Sequence, residues 1–229
     1  MKRKIKCIST SLVLASIIAG TSVANISLAS DLTEVKSEVK GDSFTEDELK
    51  SLEEDLRKDG TDEDTIIRLI EKLKDGEIWD SFKPEYKDLK PQISTENYSK
   101  TVYPDGSYCI EKTEPVYNYS PRAISTVKSI KVVKHAVLVN MSFYADYKKN
   151  TATGKAMITS QYGYNVQVVG GTYTEDTKGY VTGWANPTNA WYAIRVNISQ
   201  LGVNIYNGRL WIKLFANSNG HWQNDNFPF

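Results

Sequence analysis

Cysteine and histidine are almost missing from this chain, with two of each in 229 residues. Cys7 lies in a basic amino-terminal stretch, so its removal with that stretch would leave Cys109 alone and rule out an internal disulfide. A secreted protein without disulfides must rely on an apolar core, which about 200 residues can supply. His135 and His221 show no HxxxH partner spacing, and no CxxC occurs, so zinc of the usual Cys/His types is not expected. Phosphate-cradling glycine loops, GxSxG and HExxH are absent as well, and the sequence calls for no cofactor. Net charge is another absence. The formal value is +0, which offers no basic field for nucleic acid. A mean hydropathy of -0.43 argues against several membrane spans.

What the chain does hold is aromatic side chains: 14 Tyr, 5 Trp and 6 Phe. Such rings suit half-buried strands and recognition surfaces. At the amino terminus, Lys2, Arg3, Lys4 and Lys6 precede an apolar stretch from Leu12 to Ala19. The small-residue triplets Ser22-Val23-Ala24 and Ser27-Leu28-Ala29 follow. That order of charge, apolar run and small residues is the pattern of a secretory signal peptide, with cleavage expected after Ala29. The run is too short and too interrupted for a retained span. Cys7 sits in the basic region, where no lipobox would place it. The expectation is a secreted, disulfide-free protein of a Gram-positive bacterium, with no stable membrane span after cleavage.

The zero net charge is an average over unlike pieces. From Asp31 to Lys90 there are 20 acidic and 11 basic residues, and from Pro91 to Phe229 there are 8 acidic and 13 basic. Such asymmetry marks separate modules or an interaction surface. The expected layout is a signal peptide over 1–29, a flexible linker over 30–42, an acidic two-helix segment over 43–90, a β-hairpin and connector over 91–124, and a β-sandwich over 125–229.

In the acidic part, Thr45-Glu46-Asp47-Glu48 is a capping box ahead of Leu49, Leu52 and Leu56 on one helical face. Gly60 ends that helix. Thr61-Asp62-Glu63-Asp64 begins a second, carrying Ile66, Ile67, Leu69, Ile70 and Leu73 to a close at Lys72, Lys74 and Gly76. The run Asp59–Asp64 resembles an annexin calcium loop, but it occurs once and has Lys58 where that loop begins with Gly. Counted as an EF-hand loop from Asp59, it has Asp64 where glycine belongs. Helix capping and the helix dipole already account for its acids.

The run from Lys72 to Ser81, with Ile78-Trp79-Asp80 in it, is followed by the turn Tyr103-Pro104-Asp105-Gly106-Ser107. Over about residues 43–113 this resembles the amino-terminal portion of uncharacterised secreted proteins of Firmicutes. The resemblance implies localisation and layout, and no activity.

From about Ser125 the pattern alternates with period two between turn clusters, and no helical window appears. Val137, Val139, Met141, Phe143, Ala145 and Tyr147 form one face of the first long strand. Lys148–Gly154 reads as a turn, Met157–Tyr162 and Tyr164–Val169 as strands, and Gly170-Gly171 and Glu175–Gly179 as turns. Strands over Tyr180–Trp184, Trp191–Ile198 and Arg209–Ala216 complete the set. The expected fold is mainly β: an antiparallel β-sandwich preceded by a short helical segment and a β-hairpin, with an open barrel as the alternative.

The last two long strands hold the candidate site. Tyr192, Ile194, Val196 and Ile198 share a face, leaving Trp191, Arg195 and Asn197 on the other. Leu210, Ile212 and Leu214 likewise oppose Arg209, Trp211, Lys213 and Phe215. Trp191, Arg195, Trp211 and Lys213 are the candidate ligand-binding residues. Rings stack on the apolar faces of sugars, and cations pair with phosphate or carboxylate. The competing expectation has these rings covered by the acidic helical segment docked on the β domain.

Catalysis has thin support. Cys109, within a hairpin, lacks the helix N-terminus that activates thiol nucleophiles, and reads as a half-buried or exposed inert thiol. Paired carboxylates can be brought together by any fold, but most acids of the β half lie in turns. No catalytic and no metal-ligating residue is assigned. The expected function is a secreted binding or interaction module for a cell-wall or glycan ligand, or another anionic polymer. A secreted hydrolase of cell wall or polysaccharide is the alternative.

Overall fold

The computed structural model describes residues 43–116 and 127–223. The expected signal peptide, the linker and the end of the connector lie outside the described residues. Those described belong to one compact unit.

Two helices open it. In α1 (Glu46–Lys58) the Thr45 side chain accepts from the Glu48 backbone N–H, and the Glu48 carboxylate takes the Thr45 N–H at 3.0 Å. That is the expected capping box. Leu49, Leu52 and Leu56 are buried on its inner face. In α2 (Glu63–Lys74) Asp62 caps the Thr65 N–H, and Ile66, Leu69, Ile70 and Leu73 are buried. After α2 come two short 3-10 turns, Asp80–Phe82 and Pro84–Tyr86. Trp79, just ahead of them, is wholly buried and donates its indole N–H to the Leu69 carbonyl at 2.8 Å.

The rest is mainly β, in two antiparallel sheets. The first runs in sequence order through β1 (Ile93–Ser94), β2 (Tyr98–Val102), β3 (Tyr108–Val116), β4 (Val127–His135), β5 (Val139–Asn150) and β6 (Lys155–Val168). The second holds β7 (Gly171–Tyr180), β8 (Thr188–Gln200), β9 (Val203–Ala216) and β10 (His221–Gln223), also neighbours in sequence. Such a meander needs only short connections. The sheets face each other, β9 against β4 and β5, β10 against β3, and β8 against β6. Their inner faces supply the core: Ile130, Val132, Met141, Phe143 and Ala145 from one sheet, and Tyr192, Ile194, Val196, Ile212 and Leu214 from the other. The alternating residues of β5 are buried as the pattern predicts. The hairpin over β2 and β3 continues the first sheet.

Several boundaries correct the sequence reading, among them the expected turn over 148–154, whose first three residues belong to β5. Residues 155–168 form one strand where two were expected. Gly163, at φ +62, sits near a register shift between β5 and β6, and the Tyr144 ring lies 2.6 Å from where its Cβ would be. The glycine lets the strand bulge past that ring without ending. Glu175–Gly179, expected as a turn, lies inside β7. Its pairing with β8 continues through a bulge at Asp176, so cross-strand contacts override the turn-forming composition. The strand expected over 180–184 stops at Tyr180, and β8 begins at Thr188.

The helical segment sits across the turns at one end of the sandwich. The Phe44 N–H donates to Gln200 Oε1 at 2.9 Å, and the Leu201 N–H donates to Ser43 Oγ at 3.0 Å. The Phe44 ring packs so closely on the β6–β7 turn that Gly170 has no room for a Cβ. Asp59, the C-cap of α1, accepts from Tyr108 Oη at 2.6 Å and lies 2.7 Å from His135 Nε2.

Candidate functional site

Alternation along β8 and β9 turns the aliphatic residues inward and Trp191, Arg195, Trp211 and Lys213 outward, together with Arg209 and Phe215. The antiparallel register sets Trp191 opposite Lys213, Ala193 opposite Trp211, and Arg195 opposite Arg209. All four candidate residues therefore share one patch. Arg209 Cζ lies 4.1 Å, and Lys213 Nζ 4.7 Å, from the centre of the Trp211 ring. Cations held against a ring are each worth about 0.5–1 kcal/mol at exposed sites. Phe215 stacks on Trp222 of β10, centroids 5.8 Å apart and planes 13° apart. Ala193, on the same outer face, is wholly buried beneath its neighbours. Arg195 remains 68% exposed.

Two like charges directly opposite on a sheet repel. Asp176 answers this: the β7 bulge aims its carboxylate at Arg209 Nε and at Arg195 Nε, the latter at 3.7 Å. The sequence reading missed Asp176 because the surrounding residues look like a turn. Trp222 was missed because a three-residue strand leaves too short a pattern to detect.

At the helical end, several acids have structural partners. Asp105 accepts from Lys72 Nζ at 2.7 Å, from the Asp80 N–H at 2.8 Å and from Ser107 Oγ, at 2.6 Å. Burial alone would raise its carboxyl, but Lys72 and Ser107 outweigh burial and hold it below the usual carboxylate range. Within Asp59–Asp64, Asp59 holds Tyr108 and His135, Asp62 caps α2, and Glu63 pairs with Arg57 at 2.6 Å.

Cys109 is buried, only 4% exposed, which corrects the half-buried or exposed expectation. His135, which pairs with Ile110 across β3 and β4, has its ring nitrogens against Asn140 and Asp59, and His221 has its own against Tyr147 and Thr113. Both rings are thus already engaged. Lys134 is buried from the inner face of β4, with Nζ 3.2 Å from Glu111 Oε1 and 3.1 Å from the Trp211 carbonyl across the sandwich. A cavity of about 550 Å³ opens beside this pair, between β2–β3 and the β9–β10 turn.

No family model matches the chain, and no curated protein does. Among solved structures, a hypothetical protein from Listeria monocytogenes EGD-e is similar at 18% identity and a TM-score of 0.33. The match covers 56% of this chain and 91% of that one.

Proposed function

We propose that the protein is a secreted module that binds an anionic glycan or related polymer of the cell surface through the outer face of β8 and β9. The observation that carries this reading is Trp211 held between Arg209 and Lys213, with Trp191 directly across from Lys213. The cations fix the ring, so it would meet a sugar face already ordered, and their N–H groups remain near enough to pair with carboxylate or phosphate. Arg195, mostly exposed, extends the cationic row. The engaged rings of His135 and His221 favour binding over Cys–His hydrolysis of the same class of polymer.

The test is co-sedimentation of the chain with purified Gram-positive cell wall, with a neutral polysaccharide as control. Binding should prefer the anionic polymer, weaken with salt, and fall with Trp211→Ala and with Arg195→Glu. Equal retention of both variants, at unchanged melting temperature, would exclude this face.

A further inference from the structure

The two sheets differ in width. Six strands face four, and β10, which lies against β3, is three residues long. β1 and β2 therefore project past the edge of the second sheet and leave a cleft beneath the β9–β10 turn. The register pairs Ser99 with Glu111 and Thr101 with Cys109. Ser99, Thr101, Glu111 and Thr113 therefore share the face that lines the cavity. Further along the same sheet that face is aliphatic and aromatic, with Ile130, Val132 and Phe143. The change from apolar to hydroxylic follows the loss of the opposing sheet past β10: Cys109 and Thr113 on β3 are still buried, whereas Ser99 and Thr101 on β2 are half-buried.

The cleft is held open by fixed groups. Asn217 Oδ1 accepts from the N–H groups of Asn219 and Gly220 at 2.8 and 3.1 Å, and Lys149 Nζ donates to the Asn219 carbonyl at 3.0 Å. His221 ties β10 to the first sheet, through Thr113 Oγ1 of β3 at 3.1 Å and Tyr147 Oη of β5 at 3.0 Å. Glu96 reaches the turn from the projecting edge, where a Cβ on Gly220 would lie 3.0 Å from its carboxylate. The lining charges are balanced: Lys87, Lys90 and Lys112 against Asp88, Glu96 and Glu111. Glu111 is further neutralised by Lys134.

We propose that this cleft is a second ligand site, one that takes a short uncharged oligosaccharide. Hydroxyls and side-chain amides both donate and accept, as sugar hydroxyls do. Glu111 and Glu96 offer acceptors. Its volume lies within the ordinary range of small-ligand sites, roughly 300–1,000 Å³. Burial holds the His221 imidazole below its ordinary pKa, so it is neutral at physiological pH and adds no charge to repel or attract. A neutral, preformed cleft selects differently from the cationic outer face, and the site does not depend on the reading of that face.

The test is titration of the full chain with chitotetraose, cellotetraose and maltotetraose, followed by amide NMR. For at least one of them, shifts should centre on Ser99, Thr101, Thr113 and residues 219–221. Ser99→Trp, which plugs the cleft, should abolish that binding. The near-isosteric Thr101→Val should weaken it roughly three- to tenfold, as loss of one hydrogen bond does, and it serves as the readout if the tryptophan variant fails to fold. No shifts with any of the three at millimolar concentration would overturn the proposal. So would shifts confined to Trp191 and Trp211, which would place the sugar on the outer face, or unaltered binding by a folded Ser99→Trp variant.

Discussion

The helical end and the open edge of the sandwich use the same kinds of side chain for opposite ends. At the helical end, Lys72, Asp80 and Asp105 pair with one another across three segments, Asp59 draws in Tyr108 and His135, and Trp79 is sealed beneath α2. On the outer face and in the cleft, cations stack on a ring that stays half-exposed, and hydroxyls line a cavity of about 550 Å³. Charge and aromaticity by themselves do not mark a site. What separates the two regions is whether the groups are consumed by the fold: Asp59, Lys72, Asp80 and Asp105 are joinery, while Arg195 reaches the surface.

That contrast can be broken from either side. The largest effect is expected from Trp79→Ala, which removes a wholly buried ring and its bond to Leu69 and should cost about 3–5 kcal/mol in denaturant unfolding. Next comes Lys72→Met. Asp80, which keeps Lys83, and Asp105, which keeps Ser107 and the Asp80 N–H, each under 10% exposed, then lose one charged partner, and a loss of about 1.5–3 kcal/mol follows from a missing hydrogen bond to a charged group. A loss indistinguishable from zero would make that network ornamental.

The third prediction concerns acid. Burial would raise the Asp59 carboxyl, but hydrogen bonds from Tyr108 and His135 outweigh it and hold the group below the usual carboxylate range. A carboxyl depressed in the folded state stabilises above its unfolded pKa, and that contribution disappears as pH falls through the folded value. Asp59→Asn should therefore lose stability at neutral pH and show a shallower further decline in acid than the parent chain. Parallel pH–stability curves for the two would sink the assignment. The smallest stability effect is expected at the surface: Trp211→Ala should cost about 1–2 kcal/mol of stability, the scale of its two cation contacts, while its loss of polymer binding in the sedimentation assay is large.

Local signals in the sequence carried far where short-range physics governs. The capping box at Thr45 and Glu48 needs only neighbouring residues, and the two-residue period of Val139 to Tyr147 declares its buried face whatever lies opposite. The same alternation placed Trp191, Arg195, Trp211 and Lys213 on one side of their strands. It failed at Gly163, where a glycine that looks like a terminator accommodates the Tyr144 ring, and at Asp176, where turn-like composition conceals a bulge fastened by two arginines. Cys109 misled for a related reason, since its exposure depends on what covers the inner face of β3 and not on its own strand.

Element type, the core faces and the segregation of charge along the chain are therefore properties of the sequence itself, because each depends on contacts within a few residues. Register, sheet width and the meeting of distant segments belong to the tertiary structure. Only pairing decides that Arg195 faces Arg209 and needs Asp176 between them, and only the mismatch of six strands against four opens a cleft at Glu111 and His221. Such contacts join residues up to 158 positions apart, as Ser43 and Leu201 are, and no local pattern of side chains can encode where the far partner will be.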